Sequence, residues 1–170
     1  MSDHQSTDLI DTLLNLSPSS STYQARHFRE KVVNGTQASY DAIFSSKVNL
    51  NLAWRYLVAV YACQLSKAPE LEQHYLAQAK AQGIAEEWLV AVKNEQLDTI
   101  ADEQLKAILV FTSKLIVKPV EGDQEAILAL KKVGISTPDI VALSQLIAFL
   151  SYQVRLFAGL KAMQALEQKQ

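Results

Sequence analysis

Apolar residues recur with helical spacing along almost the whole chain. Leu9, Ile10, Leu13 and Leu14 form a short first stripe, and positions three and four apart share one face of a helix. No segment shows the strict alternation of apolar and polar residues that is typical of a half-buried strand. The pattern predicts an all-α protein with one domain of roughly seven to eight helices.

Capping and turn residues set the expected boundaries in the first part of the chain. Ser6 or Thr7 is expected to cap the first helix. A second helix should cover about residues 23–33, and Asn34-Gly35 should break it before a further helix at 36–44.

Two later helix starts carry similar signals. Asn49 or Asn51 should cap the helix that follows residue 51. Thr137 should cap the last helix, with Pro138 in its first turn, and that helix should run to about residue 166.

Two segments of the chain resemble each other at an offset of 51 residues (134 − 83). Residues 76–92 and 127–143 share a helix that ends at a glycine, Gly83 or Gly134, followed by isoleucine. The similarity reflects either an internal repeat or the fact that any helix–glycine–helix corner requires similar residues.

Composition narrows the class of protein. Hydrophobic residues make up 49% of the chain, which is enough for a core, and the net charge is −2, which gives no basic surface for nucleic acid or anionic lipid. The polar N-terminus does not resemble a signal peptide. The most apolar stretch, residues 140–150, is too short to span a bilayer. We expect a cytoplasmic protein with no nucleic-acid or membrane partner.

The chain has one cysteine, Cys63, so an intrachain disulfide and a CxxC pair are both excluded. The expected role of Cys63 is that of a small buried hydrophobe. No metal-ligand cluster and no glycine-rich phosphate loop is recognisable. The sequence therefore predicts no metal and no cofactor.

Glu70 and His74 form the most informative constellation. Pro69 suits the first turn of a helix, and on that helix Glu70 and His74 lie four residues apart on one face. A carboxylate beside an imidazole is a common general acid/base pair. The alternative is an ordinary surface pair with a small effect on helix stability.

Arg55 stands beside an apolar run, residues 56–60. Its side chain could extend along apolar surface to reach solvent, or it could point into a site that binds an anion.

These residues resemble a known family. Arg55 with the apolar run after it, the Glu-Leu-x-x-His pattern of Glu70 to His74, and Gly83-Ile84 are similar to the core of the carboxymuconolactone decarboxylase / alkylhydroperoxidase D-like (AhpD-like) family. The resemblance covers roughly residues 52–163. It implies an AhpD-like core at 51–170, and the first fifty residues are similar to a helical extension found in a subgroup called CMD domain proteins.

The resemblance implies two alternative chemistries. AhpD-like members use a CxxC pair, but the matching positions here hold Lys67 and Glu70, and the family's upstream acid is replaced by Arg55. Peroxide chemistry would therefore depend on Cys63 alone. The decarboxylase branch implies that Glu70 and His74 move a proton on a small lactone or carboxylate, which Arg55 binds.

Polar residues late in the last helix are further candidates for a site. Tyr152 and Arg155 lie, with Gln153, among apolar neighbours. They could line a pocket for a small-molecule substrate, between helices or between subunits, or they could satisfy helix ends in the core. The same helix is apolar on more than one face, which predicts a homo-oligomer that light scattering would detect.

Three functions follow from these observations. The first is a cofactor-free acid/base enzyme that uses Glu70 and His74. The second is a non-catalytic scaffold or binding protein of the family. The third, which the missing CxxC disfavours, is a one-cysteine alkylhydroperoxidase-like protein that uses Cys63.

Overall fold

The computed structural model describes residues 8–168, which form nine α-helices, two 3₁₀ turns and no strand. The all-α fold is confirmed, with nine α-helices in this part of the chain instead of the seven to eight expected. The helices are α1 (Leu9–Leu14), α2 (Ser21–His27), α3 (Glu30–Ile43), α4 (Leu52–Leu65), α5 (Pro69–Ala81), α6 (Glu86–Lys93), α7 (Glu103–Val117), α8 (Gln124–Lys132) and α9 (Thr137–Glu167). The 3₁₀ turns are Leu97–Thr99 and Pro119–Glu121.

Helix α4 lies at the centre of the fold. Every residue from Arg55 to Cys63 is buried, and the helix packs against α5, α6, α7 and α9. A helix that is apolar on all sides must be covered on all sides, which explains why α4 shows no clear polar face in the sequence.

Helix α9 is the longest element and contacts α1–α4, α7 and α8. By length and composition alone it could cross a membrane, because an 18-residue window reaches a mean hydropathy of 1.5. The apolar segment is therefore longer than the stretch 140–150 that the sequence singled out. Of that window 44% is buried within the protein.

Hydrogen bonds connect the N-terminal part of the chain to the C-terminal end of α9. The Thr22 hydroxyl donates to Glu167 Oε2 over 2.7 Å, and Gln164 Nε2 donates to the Leu14 carbonyl over 2.9 Å. Ile10 and Phe44 belong to the same buried core as α4. The boundary at residue 50 between extension and core stays a prediction, although the N-cap of α4, Asn51, lies beside it.

The predicted break at Asn34-Gly35 is wrong, because α3 runs through it without interruption. Gly inside a helix costs about 1 kcal/mol, and burial of Val33 and Thr36 on either side offsets that cost. The chain breaks instead at Phe28 and Arg29, which precede α3.

Two of the expected caps need correction and one is confirmed. Ser6 and Thr7 lie outside the described residues, and Asp8 caps α1 by accepting a hydrogen bond from the Asp11 amide. Asn51 caps α4 as predicted.

At the start of α9 the cap is Ser136 rather than Thr137. The Ser136 hydroxyl accepts from the Asp139 amide, and Thr137 is already helical. The cap accepts from the amide three residues ahead, and here Ser136 has the extended backbone that this requires.

The two similar corners share one geometry. Gly83 and Gly134 have φ of +71° and +88°. In each corner the isoleucine amide after the glycine donates to the carbonyl five residues back, which is the Schellman arrangement. Ile84 and Ile135 are both buried. The two segments thus share the geometry of their corner as well as its sequence.

Candidate functional site

Glu70 lies in the first turn of α5 and reaches across to α9. Its carboxylate forms a hydrogen-bonded ion pair with the Lys161 ammonium. That hydrogen bond holds the pKa of the Glu70 carboxyl below its usual range. Glu70 therefore stays ionised at neutral pH and joins two helices that are 91 residues apart in sequence.

A groove of about 410 Å³ opens between the α4–α5 corner and α9, and we call it the α5 groove. Its polar rim includes Lys67, Glu70 and Lys161, and its walls include Val154 and Phe157. Lys67 occupies the left-handed region, with φ of +55°, which turns the chain from α4 into α5. The positions that match the thiol pair, Lys67 and Glu70, thus lie on one groove.

His74 takes its partner from α3. Its Nε2 lies 3.1 Å from the hydroxyl of Tyr40 on α3, and burial lowers the pKa of the imidazole. Burial also raises the pKa of the Tyr40 phenol. In the described part of the chain, no hydrogen bond or ion pair joins His74 to Glu70, although the two lie four residues apart on α5.

Aromatic side chains surround His74 on its buried side. Phe44 stacks on Tyr56 with ring centroids 4.6 Å apart, and the His74 ring meets Tyr75 edge-on at 5.1 Å. The Tyr75 hydroxyl donates to Gln153 Oε1 over 2.5 Å in the core. On α3, Tyr40 is the side chain that contacts His74, through its ring and its hydroxyl.

Arg55 does not reach solvent, so the expectation that it extends to the surface is wrong. The residue is 2% exposed, and its guanidinium donates to the backbone carbonyls of Ile43, Ser45 and Val48. These carbonyls belong to the end of α3 and the loop after it. Arg55 lines neither of the two grooves described here, and its geometry is that of a buried anchor for the end of α3 and the loop that leads to α4.

Cys63 is fully buried on α4. Burial raises the pKa of its thiol to about 12, with a smaller contribution from the charge of Glu72. The thiolate is the reactive form, so this environment disfavours redox chemistry at Cys63.

Tyr152 and Arg155 have different surroundings although they are three residues apart. Tyr152 is 43% exposed, and its hydroxyl lies 3.0 Å from Thr36 Oγ1. Arg155 is exposed and donates to the Ser151 carbonyl of its own helix over 2.7 Å. Tyr152 thus lines a groove, as one of the two interpretations expected, whereas Arg155 takes part in neither a groove nor the core.

That second groove, the α3–α9 groove, has a volume of about 280 Å³. Three polar residues line it: Arg26, Thr36 and Tyr152. Its apolar lining consists of Ala25, Val32, Val33, Leu156, Leu160 and Met163.

Arg26 is held at one end of this groove by two carboxylates. Its guanidinium contacts Asp8 at 3.1 Å and also binds Asp11, which in turn lies 2.7 Å from His27 Nε2. The Arg26 side chain is only 4% exposed. Its charge is already balanced by the chain itself.

Sequence reasoning missed Tyr40 and Lys161 as partners in these sites. Both come from elements distant in sequence, and neither stands in a recognisable motif. Among residues 8–168, no group of three or more His, Cys, Asp or Glu side chains is arranged to hold a metal ion.

The fold is that of peroxidase-related, AhpD-like helical proteins. A crystal structure of an uncharacterized peroxidase-related protein from Silicibacter sp. TM1040 matches with a TM-score of 0.70 and 18% sequence identity, over 79% of this chain and 71% of that chain. At this identity the likeness concerns the fold. No family model and no curated protein matches the sequence.

Proposed function

We propose that this chain binds a small carboxylate, such as a lactone carboxylate, in the α5 groove, as a protein of the AhpD-like fold and of its CMD domain subgroup that lacks the CxxC pair. The proposal rests on the charge of the groove. Two ammonium groups, Lys67 and Lys161, accompany one carboxylate, Glu70, above apolar walls. The surplus of positive charge favours an anion, and a volume of about 410 Å³ suits a small organic ligand.

The arrangement suggests how a ligand would sit. Its carboxylate would bind between Lys67 and Lys161, while its ring or chain would pack on Val154 and Phe157. Glu70 would keep Lys161 in place, because their ion pair fixes the ammonium at the rim. Charged hydrogen bonds between an ammonium and a carboxylate are shorter and stronger than neutral ones.

Binding is better supported than proton transfer at this groove. The ion pair with Lys161 lowers the pKa of Glu70, and a carboxyl with a lowered pKa is a weak general base near neutral pH. His74 does not line the groove. The non-catalytic, binding version of the function therefore fits the geometry better than the Glu70/His74 enzyme.

A second candidate is proton transfer by His74 with Tyr40 as its partner. The supporting observation is the 3.1 Å contact between the Tyr40 hydroxyl and His74 Nε2. The lowered pKa of His74 keeps the imidazole neutral and able to accept a proton at pH 7. A one-cysteine peroxidase has no such support, because the Cys63 thiol is buried with its pKa raised to about 12.

The test is a calorimetric titration with γ-butyrolactone γ-carboxylate, with loss of the lactone followed by proton NMR in the same samples. Lys161→Gln removes one ammonium, and Lys67→Asn removes the other with a residue that tolerates a positive φ. We expect each to weaken binding roughly tenfold, the value of one charged hydrogen bond. Lys80→Gln, an exposed lysine in the last turn of α5, is the matched control and should bind like the wild type.

The outcomes separate the candidates. Binding that weakens in Lys161→Gln but not in Lys80→Gln, without turnover, supports the proposal. Turnover that is lost in His74→Gln and survives in Lys161→Gln would favour the Tyr40–His74 candidate. Absence of wild-type binding at millimolar ligand would reject the carboxylate site.

A further inference from the structure

The α3–α9 groove differs from the α5 groove in its charge and in its hydrogen-bonding groups. We propose that it is a second ligand site, for a small neutral molecule that is mainly apolar and donates one hydrogen bond, such as an alkylphenol or an alcohol. The site is independent of the proposed carboxylate site, because the two grooves share no residue.

The hydrogen-bond directions at the groove leave an acceptor free. The Thr36 hydroxyl donates its only proton to the Val32 carbonyl over 2.9 Å. The contact of 3.0 Å between Thr36 Oγ1 and the Tyr152 hydroxyl must therefore use the proton of Tyr152. With that proton committed, the Tyr152 oxygen can only accept from a ligand, which must supply a donor.

Charge at the groove argues against an anionic ligand. Arg26 is the only cation that lines it within the described chain, and its guanidinium already binds Asp8 and Asp11. This cluster is net negative with His27 neutral and neutral overall with His27 protonated. An anion would therefore gain no net attraction here, in contrast to the α5 groove.

The apolar residues of the groove would contact the apolar part of the ligand. Val32 and Met163, which line the groove, are 53% and 42% exposed. Exposed apolar side chains grouped around a concave surface mark binding sites more often than isolated ones do. A volume of about 280 Å³ lies near the lower end of ligand sites, about 300 Å³, and limits the ligand to a single ring or a short chain.

The experiment uses three probes on the full chain: para-propylphenol, its methyl ether para-propylanisole, and para-propylbenzoate. Methionine labelled with ¹³C at the methyl group reports binding. The chain has only two methionines, and Met163 lines this groove whereas no methionine lines the α5 groove. A ligand in the α5 groove would therefore not contact the Met163 methyl group directly.

The wild type should bind the phenol about three to ten times more tightly than the ether, the value of one neutral hydrogen bond. Tyr152→Phe should abolish this preference, and Tyr23→Phe, the same change on α2 outside the groove, should retain it. Thr36→Val frees the Tyr152 proton for the ether oxygen, so the preference should fall toward unity.

Several results would overturn the site. One is a benzoate that shifts the Met163 signal more strongly than the phenol. Another is a phenol preference that survives both Tyr152→Phe and Thr36→Val. A Met163 signal that none of the three probes moves would reject the groove as a ligand site.

Discussion

Glu70 and His74 lie one turn apart on α5, yet the partners that hold them come from opposite ends of the chain. The Glu70 carboxylate binds Lys161 on α9, and the His74 imidazole meets the Tyr40 hydroxyl on α3. Helical spacing brings two side chains to one face, but each then binds the partner that tertiary packing offers. The two residues therefore belong to different sites, and changes at one should leave the other intact.

The environment of His74 predicts a titration below pH 6.5. Burial lowers the pKa of the imidazole from its usual value of 6.5. The unfolded chain binds the proton more readily, so stability should be present above pH 6.5 and should fall as the pH drops toward the native pKa. An NMR titration of the His74 ring measures this directly, with His74→Gln to assign the signal. A midpoint at or above 6.5 would contradict it.

Arg55 should matter for stability. Replacement by Met leaves three backbone carbonyls without their donor, and we expect a loss of about 2–4 kcal/mol in the free energy of unfolding. Urea denaturation measures the loss. Arg155→Met, at an exposed site, should stay within about 0.5 kcal/mol of the wild type. Equal effects of the two substitutions would show that Arg55 does not anchor the end of α3 and the loop after it.

The glycines provide a graded test of the helix corners. Gly83→Ala forces a side chain into the left-handed region with no steric contact and should cost about 1–2 kcal/mol. Gly134→Ala should cost more, because its new Cβ would lie 3.3 Å from Gln104 Nε2.

Gly35 is the control for these corners. It lies inside α3 with open space around it, so Gly35→Ala should stabilise the protein by about 1 kcal/mol. In thermal denaturation, the melting temperature should be highest for Gly35→Ala, lower for Gly83→Ala and lowest for Gly134→Ala. A destabilising Gly35→Ala would mean that α3 does not run unbroken through Asn34-Gly35.

Cys63 should be unreactive in the native protein. Burial and the raised pKa leave almost no accessible thiolate. A thiol reagent at pH 8 should modify the native chain only as fast as it unfolds, and should react at once in guanidinium. Rapid modification of the folded protein would revive the one-cysteine interpretation.

Local signals allowed most of the fold to be predicted. The Asn51 cap, Pro69 at the start of α5 and the two glycine corners depend on residues within one turn of each other. The helix break predicted at Asn34-Gly35 was wrong because a long-range effect outweighed a local one. There the turn preference is local, and burial of α3 against α9, which depends on the whole fold, prevails.

The candidate site was less predictable for the same reason. Glu70 and His74 stand out in the sequence, but the partners that define their chemistry lie 91 and 34 residues away. Arg55 could be recognised as unusual in an apolar helix, whereas its three carbonyl partners belong to a loop with no motif. Chemistry that depends on long-range contacts needs the structure.

The bonds from Glu167 to Ser21 and Thr22 also affect how the protein is made. They join residues 146 and 145 positions apart, and such distant contacts form late in folding. During translation α1 and α2 leave the ribosome before α9, and their bonds to Gln164 and Glu167 cannot form until the end of α9 has been synthesised. Helices α1 and α2 therefore obtain their bonds to α9 only after all the helices between them have been made, and until then their apolar faces lack this partner.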